Sequence, residues 1–495
     1  MSAPQPPPRL RWPAAMGLLQ LGGDSWRVRD ACEGTLVFGG TGSGKTSGSG
    51  RALALAFLEA GFGGLVLCAK KDEPELWQAY AAQSGRSADL VRFGSKEAGG
   101  FNFMRDESER PGAGAGLTEN LVNLFMEVAS LGSAEGGGRG DPFWERSMRS
   151  LVRNCVDLLV MAGEPVTLHA MFEVIRAAAD EPAKVASPSW REASFCWDAL
   201  RRARVRAAGA DWEGDCREVA GYWLHQFPTL GDRTRGSIVA MFATLAEGLM
   251  RGRMRELFCS ATRLSPQDVI DGGVVVVDLP VKEWSEVGRM AAVIWKYCLQ
   301  KAVERRTDNA GGEGRPLFIW ADECQHFTSR YDPLFQATAR SSRVATVYLT
   351  QNLPALAASL GSGSAGRMLA DGLLGNLGTK VFHANGDRDT NRLASDLAGR
   401  RIGTLRSDGR GTTLGLGGQA SVGTSAQCGR SEHIDLEFEP MEMATLRKGG
   451  PESGFTVEAL VFQNGRTWSA TRRTWQKVAF AQGAGGPTSR RTRIP

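Results

Sequence analysis

The sequence predicts an α/β fold, with a mostly parallel β-sheet that is interrupted along the chain by an all-helical insertion. Three observations support this fold class. A strand, a glycine-rich loop, a helix and a second strand follow one another between residues 35 and 68, which is the order of a βαβ unit. Four later segments are continuous apolar runs, as expected of strands that are covered on both faces. Between these regions, apolar residues recur at helical spacing.

The individual strands are predicted from short apolar runs. The βαβ unit contains Thr35–Phe38, a helical pattern over residues 51–58, and a second strand at Gly64–Cys68. Because a helix joins the two strands, they are expected to run parallel in one sheet. The later strands are Val274–Asp278, Leu317–Ala321, Val344–Leu349 and Thr379–Phe382.

Two further segments follow near the C-terminus. Phe455–Phe462 and Thr467–Thr471 flank Asn464–Gly465, and together they predict a hairpin with a two-residue turn. The segment Gly403–Gly429 is rich in glycine, serine and threonine and shows no apolar pattern, so it is predicted to be a mobile loop.

The loop after the first strand is the most informative motif of the chain. Its glycines allow backbone N–H groups to approach phosphate oxygens, and the following helix N-terminus adds partial positive charge. Lys45 is predicted to reach the β- and γ-phosphates, and Thr46 to ligate Mg²⁺ through its hydroxyl. The motif therefore predicts ATP and Mg²⁺ as ligands. It consists of Gly39, Gly40, Thr41, Gly42, Ser43, Gly44, Lys45 and Thr46.

Hydrolysis also needs a carboxylate that holds Mg²⁺ and a group that activates water. Two predicted strands end in an aspartate, Asp278 and Asp322, and only Asp322 is followed by a second carboxylate, Glu323. Asp322 is therefore predicted to bind the metal and Glu323 to polarise the attacking water, with Asp278 as the alternative. Asp278 precedes a Leu-Pro pair that ends its strand, and its simpler interpretation is a turn residue.

Three polar residues beyond this pair are further candidates. Gln351 follows the next strand, where an amide could contact the γ-phosphate or could simply cap the strand end. Arg340 and Arg343 lie between the carboxylates and that strand. Such arginines are commonly solvated, but in ring ATPases one of them reaches the nucleotide of the neighbouring subunit.

The glycine-rich loop and the helical spacing of apolar residues together predict how the chain is divided into domains. Residues 31–116 and 232–481 are predicted to form a discontinuous nucleotide-binding domain, and residues 117–231 an inserted all-α domain. Alternatively, these helices simply cover the sheet. Residues 1–30 are predicted to be a Pro-rich arm and residues 482–495 a disordered basic tail.

Composition limits the classes of protein to which the chain could belong. The net charge of +5 neither requires nor excludes nucleic acid. Nine cysteines without a CxxC pair argue for reduced thiols rather than a disulfide framework or a zinc site. No run reaches the ~18–20 apolar residues that span a bilayer, and the N-terminus lacks a signal-peptide core. A cytoplasmic protein without an intrinsic membrane span is therefore expected.

In order and spacing, these motifs resemble the TraD/TraG conjugative coupling ATPases of type IV secretion, within the HerA/FtsK superfamily. The resemblance begins near Thr35 and covers nearly the whole remaining chain. The glycine-rich loop alone is shared by many families, so the complete set carries the resemblance. Besides that loop, the set comprises Phe101–Phe103, Phe143–Trp144, Phe318–Glu323, Ala339–Arg340, Leu349–Asn352, Asn385–Asp387 and Thr390–Asn391.

The resemblance implies a RecA-like P-loop NTPase domain with an inserted all-helical domain. It implies a homo-hexameric ring that passes DNA through its channel, and an insertion that contacts relaxase or secretion-system proteins. Arg340 stands eleven residues before Gln351, where the family has its trans-acting arginine finger, which favours Arg340 over Arg343.

Two departures from the family pattern matter. The N-terminal membrane helices of most members have no counterpart here, so any position at the inner membrane is expected to be peripheral and to depend on partners. The family's Asp-Pro-Lys-type motif after the second strand is replaced by Cys68-Ala69-Lys70, and Lys70 therefore receives no predicted role.

The function that follows is an ATP-driven DNA translocase that delivers DNA or relaxase-bound DNA to a conjugation system. DNA contact is expected to be sequence-independent, through basic runs at residues 201–206 or 251–255, although each run could equally be a solvated helix face. One alternative is an FtsK/HerA-like motor for chromosome or repair DNA. Another is a nucleotide-gated platform that recruits protein cargo without pumping DNA.

Overall fold

The computed structural model describes residues 12–95, 97, 99–111, 116–133, 142–306, 314–415 and 421–483. Its centre is a nine-stranded sheet, and two separate antiparallel hairpins lie outside that sheet. The strands are β1 (Gly17–Leu21), β2 (Asp24–Arg27), β3 (Thr35–Phe38), β4 (Gly63–Leu67), β5 (Leu90–Phe93), β6 (Val274–Val277), β7 (Leu317–Ala321), β8 (Val344–Thr350), β9 (Thr379–Phe382), β10 (Arg400–Gly415), β11 (Ser421–Leu436), β12 (Thr456–Gln463) and β13 (Trp475–Ala481).

Helices cover both faces of the sheet and form the region between β5 and β6. They are α1 (Val28–Cys32), α2 (Arg51–Glu59), α3 (Glu73–Gln83), α4 (Phe103–Glu109), α5 (Thr118–Ser133), α6 (Pro142–Ala162), α7 (Leu168–Ala177), α8 (Pro182–Ala186), α9 (Pro188–Ala193), α10 (Phe195–Ala207), α11 (Glu213–Gly221), α12 (Phe227–Thr229), α13 (Asp232–Met250), α14 (Gly252–Phe258), α15 (Pro266–Ile270), α16 (Val281–Glu304), α17 (Asp332–Thr338), α18 (Leu353–Leu360), α19 (Gly363–Asn376) and α20 (Arg388–Ala398).

The strand order in the sheet is β13-β12-β9-β3-β8-β7-β4-β6-β5. All strands from β9 to β5 in this order are parallel to their neighbours, whereas β12 pairs antiparallel with both β9 and β13. This mostly parallel sheet confirms the predicted fold class. Because carboxyl ends of parallel strands share one edge, the segments that follow β3, β7, β8 and β9 meet there.

Successive side chains of each strand point to opposite faces of the sheet, and each face packs against its own apolar core. In β3, Leu36 and Phe38 face one apolar cluster, and Val37 between them faces the other. The first cluster continues without a break into α5, α6, α7, α10 and α13. The second cluster contains β1, β2 and α2. Burial on both faces explains why the central strands are continuous apolar runs.

The helical region between β5 and β6 is present, and its helices share their apolar core with one face of the sheet. The helix α13 packs against α6 and α7. The predicted domain boundaries at residues 117 and 231 remain predictions. The predicted arm and tail are described only in part, since residues 1–11 and 484–495 lie outside the described residues.

The prediction of a mobile loop at Gly403–Gly429 is wrong. This segment forms most of a long hairpin, the β10–β11 arm, in which Arg400 pairs with Leu436 and Gly415 with Ser421. Beyond their mutual pairing, the two strands join no other sheet. A ribbon with solvent on both faces needs no apolar side, so the alternation that normally reveals a strand is missing from its sequence.

The prediction for the C-terminal hairpin is wrong in its second strand. The partner of β12 is β13, with Phe462 opposite Trp475, so the connection is longer than two residues. The cause is Trp468, which is fully buried and donates from its indole N–H to the Thr474 carbonyl at 3.1 Å. Residues 464–474 therefore fold into a packed loop around this side chain.

Within the described part of the chain, no helix is both long and apolar enough to cross a membrane. All nine cysteines lie in the described part and none is paired in a disulfide.

Candidate nucleotide-binding and hydrolysis site

The glycine-rich loop follows β3 at the centre of the sheet. Its first residues are tied to both neighbouring strand ends, because Gly39 N–H donates to the Thr350 carbonyl and Gly40 N–H to the Ala384 carbonyl. The loop needs glycine at position 44, where φ is +81° and a Cβ would lie 2.6 Å from a methyl of Val457. A π-helical turn at Thr46–Gly50 then leads into α2.

The loop and the predicted carboxylate pair lie side by side. Thr46 Oγ1 donates to Asp322 Oδ2 at 2.8 Å, although 276 residues separate them in sequence. Lys45 Nζ lies 3.3 Å from Glu323 Oε1 and 4.0 Å from Asp322 Oδ1. The structure thus brings together the four residues for which sequence reasoning proposed the main chemistry.

Asp278, the alternative metal ligand, is engaged elsewhere. Its carboxylate accepts hydrogen bonds of 2.9 and 2.7 Å from Arg92, on the neighbouring strand β5. The strand β6 that precedes it is separated from β7 by β4. The position of Asp278 therefore favours Asp322 as the metal ligand.

Glu323 has a strained backbone and a strongly held side chain. Its φ and ψ are both 50°, in the left-handed region that residues other than glycine rarely adopt. Gln325 Nε2 donates to Glu323 Oε2 at 2.9 Å, and Gln325 itself accepts from the Thr350 hydroxyl at 3.0 Å. Such strain is concentrated at functional sites, where surrounding contacts maintain it. Gln325 was not predicted from the sequence.

The charge of Glu323 is fixed by its cationic neighbours. Burial alone would raise the pKa of this carboxyl, but Lys45, the Gln325 amide and Lys70 outweigh burial and lower the pKa to about 2. Glu323 is therefore ionised at neutral pH, as a group that polarises water must be.

Lys70, which received no role from the sequence, contacts both carboxylates. Its Nζ lies 3.2 Å from Asp322 Oδ2 and 3.3 Å from Glu323 Oε1. Burial lowers the pKa of Lys70, but Asp322, Glu323 and Glu73 raise it to about 12. The only sequence signal was its position at the end of the second strand, where the family motif also places a lysine.

Glu73 lies behind Lys70 at the start of α3. Its Oε2 accepts from the Ala69 N–H at 2.7 Å. Burial, followed by the nearby charge of Asp322, raises the pKa of Glu73 to about 8. The lysine thus lies within a cluster of three acidic groups, two of which belong to the candidate site.

Gln351 lies at the end of β8, next to the carboxylate pair. Its Nε2 is 3.5 Å from each carboxylate oxygen of Glu323, and its carbonyl accepts from Asn385 Nδ2 at 2.7 Å. Asp387 N–H donates to Asn385 Oδ1, and the carboxylate of Asp387 caps α20 through Thr390. The Asn-Gly-Asp segment is therefore a brace between the ends of β8 and β9.

A buried histidine supports the loop from behind. His383 Nε2 lies 2.7 Å from the Ser49 hydroxyl, and its Nδ1 lies 3.1 Å from the Glu458 carbonyl. Burial lowers the pKa of His383 to about 4, so the ring is neutral at neutral pH. A neutral ring that donates from Nδ1 to the carbonyl accepts the Ser49 proton at Nε2. This residue, too, was missed from the sequence.

Arg340 lies away from the site in its own chain. It precedes β8, at the amino edge of the parallel strands, whereas Lys45 and Glu323 lie at the carboxyl edge. Seven strand residues at ~3.3 Å each place roughly 20 Å between the two edges. The Arg340 side chain is 69% exposed and lies 3.3 Å from Glu33.

Arg343 has a structural position instead. It is buried, adopts φ of 55°, and donates to the carbonyl of Trp12. An arginine held in this way is not available to another subunit. The contrast supports the choice of Arg340 as the candidate finger.

The two basic runs proposed for DNA contact are partly neutralised within the chain. Arg206, in the first run, donates to the carbonyls of Val160 and Met161. Four further arginines of the two runs form ion pairs with acidic side chains. These pairs are Arg201–Asp198, Arg202–Asp198, Arg202–Glu164, Arg251–Glu247 and Arg253–Glu256.

Solved structures of the bacterial conjugative coupling protein TrwB share this fold. The unbound form has a TM-score of 0.59 and 16% identity, over 94% of this chain and 90% of that chain. The complex with a non-hydrolysable ATP analogue, ADPNP, has a TM-score of 0.58 and 15% identity, over 94% and 89%. The complex with ADP and Mg²⁺ has a TM-score of 0.58 and 14% identity, over 94% and 88%.

No protein-family model matches the chain, and no curated protein matches it in sequence. At 14–16% identity, the likeness to TrwB establishes the fold. The RecA-like architecture with a helical insertion, which the family resemblance implied, is thereby confirmed.

Proposed function

We propose that this chain is an ATP-driven motor that couples DNA, or relaxase-bound DNA, to a conjugative secretion system. The observation that carries the proposal is the contact of the loop residues Lys45 and Thr46 with Asp322 and Glu323. The likeness in fold to a conjugative coupling protein, over 94% of this chain, supports the choice of DNA transfer among the P-loop functions.

The residues at the site suit a magnesium-bound nucleoside triphosphate. The hydroxyl of Ser43 is buried in the loop and has no hydrogen-bond partner among the described residues, which is what a phosphate-binding loop would offer to its ligand. Thr46 and Asp322 supply two adjacent oxygens for Mg²⁺, the donor type that this ion prefers. When bound, the metal would neutralise charge on the β- and γ-phosphates.

The chain's own residues then divide the work. Lys45 holds the β- and γ-phosphates, and Glu323 accepts a proton from the attacking water. Gln351 lies where its amide can orient that water or contact the γ-phosphate. Arg340 of a neighbouring subunit completes the site, because its own chain places it at the opposite edge of the sheet. These roles require a ring, which we propose to be a homo-hexamer on DNA.

Turnover with and without DNA tests the proposal. The wild-type ATPase rate per subunit is expected to rise several-fold with DNA and with protein concentration, since the site needs two subunits. Lys45→Ala is expected to bind no nucleotide, and Glu323→Gln to bind ATP but to hydrolyse it at least about 100-fold more slowly. A DNA-indifferent rate, together with nucleotide-dependent binding of protein cargo, would instead identify a recruitment platform.

A further inference from the structure

Phe455 is an exposed aromatic residue in a left-handed backbone conformation. Its φ is 53°, and its side chain is 52% exposed immediately before β12. A bulky residue with positive φ is a genuine outlier, because its side chain crowds the backbone. Among the described residues, Glu323 of the candidate site is another of the five non-glycine residues with positive φ. An aromatic ring kept in this conformation, with half of its surface in solvent, is not explained by core packing.

Hydrogen bonds tie the turn that carries Phe455 to the phosphate loop. Phe455 N–H donates to the Gly450 carbonyl, and its own carbonyl accepts from Gln482 N–H, both at 2.8 Å. The Gln482 side chain accepts from Gly450 N–H at 2.7 Å and donates to the Ser47 hydroxyl at 2.6 Å. Ser47 directly follows the proposed metal ligand Thr46. The strained residue is thus fixed relative to the loop.

The sheet topology places Phe455 on the side of the loop opposite the carboxylates. From β3, which carries the loop, β7 with Asp322 and Glu323 lies two strands away in one direction, and β12 lies two strands away in the other. Because β12 is antiparallel to β9, its first residue lies at the carboxyl edge of the parallel strands. Gln482, after the last residue of β13, lies at that same edge. Two strand spacings amount to roughly 10 Å.

A nucleoside triphosphate has two ends, and the site defines the position of one of them. The γ-phosphate must lie beside Glu323 and Lys45, where the proposed hydrolysis takes place. With the γ-phosphate there, a nucleoside that extends away from the carboxylates passes the side of the loop that carries Ser47. On that side the described structure offers Phe455, an exposed aromatic face at a fixed position.

We infer that Phe455 stacks on the base of the bound nucleotide; this inference rests on the proposed function and adds a base subsite to it. Stacking on an aromatic ring contributes about 1–3 kcal/mol per base and tolerates any base, because every base has a π-face. The subsite should therefore accept nucleotides with any base, because stacking does not select a base by hydrogen bonding. The left-handed conformation is the cost of presenting the ring to the ligand rather than to the core.

Calorimetric titration of the full chain with Mg-ATP and with Mg-tripolyphosphate tests this inference. Phe455→Ala is expected to weaken ATP binding about tenfold, from a stacking loss of about 1.4 kcal/mol, and to leave tripolyphosphate binding unchanged. Phe455→Trp should retain ATP affinity. Phe143→Ala, at a phenylalanine that is 49% exposed in the helical region, is the matched control and should change neither ligand.

Phe455→Gly separates stacking from structure. Glycine accepts positive φ without strain, so this variant should unfold at or above the wild-type temperature and still lose the same tenfold in ATP affinity. Unchanged ATP affinity in Phe455→Ala, or an equal loss for both ligands, would overturn the base subsite alone. If the wild type bound neither ATP nor tripolyphosphate, the proposed function itself would fail.

Discussion

Four charged side chains lie close together at the candidate site, and the balance of positive and negative charge among them depends on the bound ligand. Lys70 Nζ lies within 3.3 Å of both carboxylates, Asp322 and Glu323. Lys45 Nζ lies 3.3 Å from Glu323 and 4.0 Å from Asp322. Without ligand, the two lysines compensate the two carboxylates. A polyphosphate with its metal brings charges of both signs to the same place, so the lysines can turn from the carboxylates towards phosphate at little electrostatic cost.

Removing Lys70 should therefore destabilise the empty site. In Lys70→Met, Lys45 alone compensates two buried carboxylates, and the unfolding temperature in EDTA is expected to fall by several degrees. Millimolar Mg²⁺ should raise the unfolding temperature of this variant more than that of the wild type, because a cation at Asp322 replaces the missing charge. Lys71→Met, at the exposed neighbouring lysine, is the control and should show neither effect. Equal responses to Mg²⁺ in all three proteins would contradict this account.

His383 should make stability depend on pH. Its pKa is lowered to about 4 in the folded protein by burial, against about 6.5 in an unfolded chain. Between these values the unfolded state binds more protons, so acidification from pH 6.5 to pH 4 destabilises the folded state. Thermal unfolding of the wild type and of His383→Gln should show a steeper fall for the wild type across this range. Parallel curves would show that the ring titrates normally.

The residues that sequence reasoning missed share one physical feature. Lys70, Gln325 and His383 each contact a residue that is distant in the sequence. Because the fold brings these partners together, the residues next to each of the three do not reveal its contact. The distant partners are Asp322, Thr350 and Ser49, respectively. The loop and the Asp322–Glu323 pair were predictable because local requirements, glycine for phosphate approach and acid at a strand end, fix their types.

At the level of elements, the central strands could be predicted and the β10–β11 arm could not. A strand that is buried on both faces, such as β8, has a continuous run of apolar residues. The predicted strand there missed only the last residue of β8, Thr350. The two strands of the arm pair through their backbones, and Ile402 and Ile434 are each 70% exposed. Nothing in such a composition distinguishes a ribbon from a loop.

The same exposure predicts that the arm contributes little to the stability of the sheet. A deletion of residues 405–431, with an Asn-Gly turn joining Thr404 to its register partner Glu432, should leave the unfolding temperature within about 2 °C of the wild type. The buried contact between Ser395 and the Phe438 carbonyl, at the base of the arm, is retained. Differential scanning calorimetry measures the effect, and a fall of 5 °C or more would show that the arm packs on the body of the protein.

At the scale of the whole molecule, the sheet separates two surfaces that a single chain cannot bring together. The phosphate loop occupies the carboxyl edge of the parallel strands, and Arg340 occupies the amino edge, beside Glu33. Within one chain the arginine has no route to the nucleotide. In a closed ring with head-to-tail contacts, each subunit can present one edge to its neighbour, so the two halves of a site come from adjacent chains.

Mixed assemblies test this division directly. Arg340→Ala and Lys45→Ala should each be inactive in ATP hydrolysis alone, because each lacks one half of every site. An equal mixture should recover about a quarter of the wild-type rate, since one of the four possible pairings joins an intact loop to an intact arginine. A mixture in which the Arg340→Ala subunits also carry Glu323→Gln is the control and should stay inactive, because its only complete pairings then lack the carboxylate. If mixing yields no more than the sum of the separate variants, Arg340 does not act across the subunit boundary.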